Sequence, residues 1–161
     1  MDLSSAPCDA GCMAFVSYMD DALREARAAA RRDEVPVGAV VVAPDGRVVA
    51  SAGNMTRELH DPTAHAEILA LRAACRDVGS ERLPGHSIWV TLEPCAMCAA
   101  AIAAARVERL VFAADDPKTG GVLHGARVFA HPQAHHVPEI VSGVRGSDSS
   151  LLLQDFFSGR R

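Results

Sequence analysis

The chain has 161 residues, enough for one domain built on a single buried core. Hydrophobic residues make up 49% and charged residues 22%, which excludes an intrinsically disordered chain, and no apolar run is long enough to span a membrane as a helix. The formal net charge of −4 carries no global basic signature, so any nucleic-acid contact has to be local and shape-directed.

Residues 1–13 carry acids and no apolar stretch, so they do not read as a signal peptide. They are expected to be a disordered leader ahead of a single domain over residues 14–161, with the cytoplasm as its location. From Ala14 to Arg32, residues Phe15, Met19, Ala22, Leu23, Ala26 and Ala30 fall near one face, which is the spacing of an amphipathic helix. Val37–Ala43 and Val48–Ser51 flank a Pro44-Asp45-Gly46 turn and predict a β-hairpin. Asp61-Pro62-Thr63 opens a predicted helix that runs to about Arg76. Ser87–Leu92 predicts a buried strand, and Pro94 suits the start of an alanine-rich helix over Cys95–Ala105. Arg109–Ala114 predicts a strand, Ala126–Ala130 a helix, Glu139–Val141 an extended piece and Ser149–Phe157 a terminal helix. This order points to an α/β fold, a three-layer α/β/α sandwich around a central mixed five-stranded sheet.

Five cysteines are too few, and odd in number, for a disulfide framework. Cys8 and Cys12 read as bystanders in the leader and Cys75 as a small core residue. Cys95 and Cys98 are different: three apart at a predicted helix start, both sulfurs can reach one ion, and the helix end favours thiolates. Alone, this pair is equally compatible with two buried thiols or a redox couple. Thr63-Ala64-His65-Ala66-Glu67 lies at a second predicted helix start, where His65 and Glu67 can both approach a metal over the helix end. Two cysteines and one histidine give the ligand count of a catalytic zinc site with an open position. His60, His86 and Glu93 are possible fourth ligands, though oddly spaced. Zinc brings the pKa of bound water toward neutrality, and a non-ligating carboxylate beside that water, Glu67, can carry the protons of a hydrolysis.

His65-Ala66-Glu67 and Pro94-Cys95-Ala96-Met97-Cys98 resemble the H-x-E and P-C-x-x-C signature of zinc-dependent nucleobase deaminases. Further stretches resemble the bacterial tRNA-specific adenosine deaminases of the cytidine/deoxycytidylate deaminase superfamily: Val35–Val40, Asn54, Asp61–Ile68, Thr91–Cys98, Asp116–Gly120 and Gln154–Phe157. The resemblance implies a cytidine deaminase-like fold and a homodimer with one zinc ion per subunit, held by His65, Cys95 and Cys98. It implies hydrolytic conversion of the wobble adenosine of a tRNA anticodon to inosine, with Glu67 as proton shuttle. Asn54 would help hold the flipped base, and Asp116 would approach a neighbouring ribose. Lys118 and Arg127 would meet phosphates, and the terminal Arg160-Arg161 pair would reach RNA or only fray. Neither DNA nor a membrane is an expected partner. The metal signature is shared with enzymes acting on free guanine or cytosine, which keeps that alternative open, as it does a non-catalytic zinc-stabilised RNA-binding module. Asp115, where many relatives carry a basic residue, and the stretch Gly121–Arg127 depart from the family pattern.

Overall fold

The computed structural model describes residues 15–160, so the expected leader, with Cys8 and Cys12, lies outside the described residues. Its elements follow the order α1 (Met19–Arg31), β1 (Gly38–Val42), β2 (Val48–Gly53), α2 (Ala66–Val78), β3 (Ser87–Leu92), α3 (Ala96–Ala104), β4 (Arg109–Ala114), β5 (Glu139–Ser142) and α4 (Gly146–Ser158). One five-stranded sheet runs in the order β2-β1-β3-β4-β5. The β1 pairings with β2 and β3 are antiparallel, whereas β3-β4 and β4-β5 are parallel.

Alternation along the central strands builds the three layers. Ala39, Val41, Ile88, Val90, Leu110 and Phe112 face α2 and α3 across the larger core. Val40, Val42, Trp89, Val111 and Ala113 face the opposite side, where Met19, Ala22 and Leu23 of α1 cover them. α4 joins that side through Ser149, whose hydroxyl donates to the carbonyl of Thr91. The α1 layer sits close because residue 38 has no side chain. A Cβ on Gly38 would lie 2.0 Å from the Ala22 carbonyl oxygen.

The expected α/β/α sandwich is therefore the observed one, with three local corrections. The first helix begins at Met19, not Ala14, with Tyr18 at its N-cap. The second begins at Ala66, not Asp61, because Asp61 Oδ1 accepts the Thr63 amide at 2.8 Å and its hydroxyl at 2.7 Å. That side-chain turn competes with helix and holds residues 61–63 out of it. The helix expected over Ala126–Ala130 is a single 3₁₀ turn, Val128–Ala130, which follows Arg127 in the left-handed region.

Candidate active site

The parallel strands β3 and β4 end at Leu92 and Ala114, and the chain beyond them builds the site, in keeping with the general place of ligands in open α/β sheets. Two helix starts converge there. His65 is the N-cap of α2 and Cys95 the N-cap of α3, both with extended backbone and neither side chain spent on a capping bond. Cys98, in the first turn of α3, is fully buried. His65 Nδ1 lies 3.7 Å from Cys95 Sγ and 3.6 Å from Cys98 Sγ. The ligand atoms of the three residues all fall within 4.8 Å of one another, and among the described residues this is the only such group. A tetrahedral ion with Zn–S of about 2.3 Å and Zn–N of about 2.0 Å requires S···N edges of roughly 3.6 Å, so the spacing fits. Cys95 sits at the N-cap instead of inside the helix, so the two sulfurs straddle the helix end.

Charge at the site is divided unequally. Cys95 is held down to about 4 by the adjacent Cys98 thiol and, against the effect of burial, by His65. Cys98 is pushed up by its contact with Cys95 and by burial. The contact with Cys95 also raises His65, although burial opposes this. Glu67 is only 3% exposed, and burial lifts its carboxyl to about 7 despite the pull of its own backbone N–H and of His65. Its Oε2 is buried with no hydrogen-bond partner. An orphaned carboxylate oxygen beside a three-ligand group fits a site built to take an ion and a reacting water.

A pocket of about 230 Å³ opens over these groups, lined by His65, Glu67, Cys95, Asn54, Thr56 and Asp116 among others. It is smaller than the roughly 300–1,000 Å³ of drug-sized sites and suits a single base with the rest of the substrate outside. Asn54 is buried, and its Oδ1 accepts the Ala66 amide at the start of α2 at 2.9 Å. That bond fixes the amide's orientation and leaves Nδ2 as a free donor. Asp116 reaches the pocket wall, but its carboxylate is engaged by its own turn: Oδ1 accepts the amides of Lys118 and Thr119, and Oδ2 the Thr119 hydroxyl at 2.5 Å. Lys118 is exposed and lies outside the pocket lining. Arg127 donates to the Leu123 carbonyl at 3.0 Å, and Arg160 pairs with Asp33 and covers the Phe156 ring at 4.0 Å.

None of the three possible fourth ligands joins the group. His60 is exposed, and His86 Nδ1 lies 2.9 Å from the Pro84 carbonyl, before β3 begins. The Glu93 carboxylate is taken up by backbone amides. Two buried carboxylates organise the rim: Glu34, which sequence reasoning left without a role, and Glu93, which it weighed only as a ligand. Glu34 accepts the amides of Arg57 and Glu58 at 2.8 and 2.9 Å and the Thr56 hydroxyl at 3.2 Å, which fixes the loop that follows Asn54. Glu93 does the same for the loop after Asp116. Their signal was an acid set directly beside an apolar strand, Glu34 before Val35–Val42 and Glu93 after Ser87–Leu92.

The family profile of the cytidine and deoxycytidylate deaminase zinc-binding region matches residues 6–114. The chain belongs to this deaminase family. Its metal is zinc, and it is a hydrolytic deaminase. The tRNA-specific adenosine deaminase of Agrobacterium fabrum is 56% identical over 144 residues, covering 89% of this deaminase and 94% of the relative. A structure solved in work on A-to-I editing by tRNA:A34 deaminases matches with a TM-score of 0.83 at 57% identity, covering 84% of this chain and 98% of its own. A guanine deaminase from Nitrosomonas europaea, at 24% identity, covers 87% of this chain and 82% of its own with a TM-score of 0.75, and shares the fold alone.

Proposed function

We propose that this deaminase converts adenosine to inosine at the wobble position of a tRNA anticodon. The identity to tRNA-specific adenosine deaminases along most of the chain supports the substrate. The observation that carries the chemistry is the buried, unpartnered Oε2 of Glu67 in one pocket with His65 and Cys95. His65, Cys95 and Cys98 would hold zinc, which supplies a Lewis acid that makes water nucleophilic near neutral pH. Glu67 accepts a proton from that water as its oxygen bonds to C6 of the base, and delivers the proton to N1. Glu67 then moves the remaining hydroxyl proton to the amine. The C6–N bond breaks, ammonia leaves and the C6 carbonyl of inosine remains. Asn54 Nδ2 donates to the ring and keeps C6 over the ligand group. The rest of the nucleotide stays outside, so neighbouring nucleotides supply much of the binding energy.

Residues 14–161 act as one domain, in the cytoplasm and as a homodimer. Support for the dimer comes from α3, which has no charged residue and exposes Met97, Ala100 and Ala104 beside an open groove of about 520 Å³. Among the described residues no helix is long and apolar enough to cross a membrane. The deciding experiment incubates the zinc-loaded protein with an anticodon hairpin and reads a mass change of about one unit, the exchange of NH for O. Turnover of free guanine with none of the hairpin would overturn the substrate.

A further inference from the structure

We propose that His124 is a positioning residue of this deaminase: with Glu93 it fixes the pocket wall carried by residues 116–124. The proposal rests on the deamination reading above for its kinetic arm only. Glu93 follows the end of β3 directly, and its side chain is completely buried. A carboxylate there is tolerated only if its lone pairs are met. Oε1 accepts the amides of Val122, Leu123 and His124 at 3.1, 2.8 and 2.9 Å. Oε2 accepts the Asp116 amide at 3.0 Å, and His124 Nδ1 lies 2.7 Å from it. Both ends of the loop are thus gathered onto one anion. Of these five donors, His124 Nδ1 is the one supplied by a side chain, so it is the one a substitution can remove without touching the backbone.

The loop has little freedom between those ends. The Gly121 amide donates to the Pro94 carbonyl at 2.8 Å, and a Cβ at Gly121 would come within 2.4 Å of the Ala96 nitrogen. The loop is therefore seated against the turn that carries Cys95, and Asp116 and Thr119 form one wall of the pocket. Asn54 and Thr56 line the same pocket, on the segment that Glu34 anchors. A base entering between the two has a gap set by the Glu93–His124 pair. A carboxylate only accepts, so His124 carries its proton on Nδ1, on a side chain that is 36% exposed. Glu67 and Cys98 belong to α2 and α3 and His65 is the N-cap of α2, so loosening the loop weakens substrate capture more than proton transfer.

The test uses zinc-loaded enzyme and three substitutions. In His124→Asn the amide nitrogen stands where Nδ1 stood; in His124→Gln it lies one bond farther out; His124→Ala has no donor. On the anticodon hairpin, His124→Ala raises KM about tenfold with kcat within about threefold, as expected for one lost charge-assisted bond outside the reacting atoms. His124→Asn returns KM to within about twofold of the parent and His124→Gln does not. Independently of substrate, nitrogen-15 NMR of the parent finds the Nδ1–H tautomer at His124, and the Val122 and Leu123 amides exchange faster in His124→Ala. Equal KM for the alanine, asparagine and parent enzymes overturns the proposal. So does an Nε2–H tautomer, or a loss of activity in His124→Ala that merely tracks lost zinc. If the parent leaves the hairpin untouched, the substrate reading has failed, and the tautomer and amide exchange still decide the part of His124. If the alanine variant does not fold, the asparagine–glutamine pair and the tautomer decide it.

Discussion

Replacing Glu67 with Gln should abolish turnover of the zinc-loaded enzyme and stabilise the zinc-free protein. The side chain is 3% exposed and one of its carboxylate oxygens has no partner. A buried polar group without a partner costs about 1–3 kcal/mol, and more when it is charged. Glutamine keeps the volume and removes the charge while leaving one neutral group unpaired, so a net gain of about 1–2 kcal/mol is expected. For a chain of this length each kcal/mol moves the melting temperature by about 2–4 °C, so zinc-free Glu67→Gln, compared with the zinc-free parent in which Oε2 has no partner, should melt about 2–8 °C higher. A single proton transfer by a positioned side chain contributes about 10²–10⁴-fold, and here one carboxylate serves every transfer, so kcat should fall by at least about 10³. Calorimetry, zinc analysis and mass spectrometry of the hairpin product measure the three quantities. Turnover within tenfold of the parent would refute the shuttle. A melting temperature of the zinc-free variant below that of the zinc-free parent would refute the account of the unpaired oxygen.

Cys95→Ala and Cys98→Ala should each bring zinc below one per chain by elemental analysis; full zinc in both would end the ligand assignment. Asn54→Asp keeps the acceptor for the Ala66 amide but loses the Nδ2 donor, so kcat/KM should drop about 10–100-fold. Asn54→Ala should in addition lower stability by about 1 kcal/mol, since the first amide of α2 loses its partner. Glu34 is held below its usual value of 4.5: burial raises it, but the amides of Glu58 and Arg57 and the Thr56 hydroxyl prevail. A folded value below the unfolded one gives stability that is present above about pH 4.5 and is lost as the pH falls through the depressed value. Glu34→Gln should therefore be less stable than the parent at neutral pH by about 1.5–3 kcal/mol, with the gap closing in acid. Urea melts across pH 3–7 measure this, and a gap independent of pH would count against it.

The clustering of His65, Cys95 and Cys98 was legible because they are rare types at fixed spacing on predicted helix starts, and helix starts lie where the strands of an α/β sheet end. Layer order was legible for a similar reason, since β-branched and helical periods alternate along the chain. Boundaries failed where a side chain competes with the backbone: Asp61 reads as the opening of a helix, yet its carboxylate closes a turn on Thr63. Glu93 was weighed as a metal ligand because only its type and nearness to Cys95 are visible in sequence. Its real partners are amides about thirty residues further along the chain, which no local pattern encodes. Asp116 illustrates the reverse limit. It lines the pocket, while its commitment to Lys118 and Thr119 emerges only in three dimensions.

The two N-caps have a consequence for how this molecule loses its metal. Neither His65 nor Cys95 caps its helix through a side chain, so an ion bridging them would bolt the first turns of α2 and α3 together. The sheet and both apolar layers are assembled without reference to that bolt. Chelation should consequently fray two helix tips and slacken the pocket while the layered body stays intact, so that an emptied enzyme is a reusable vessel and not a denatured one.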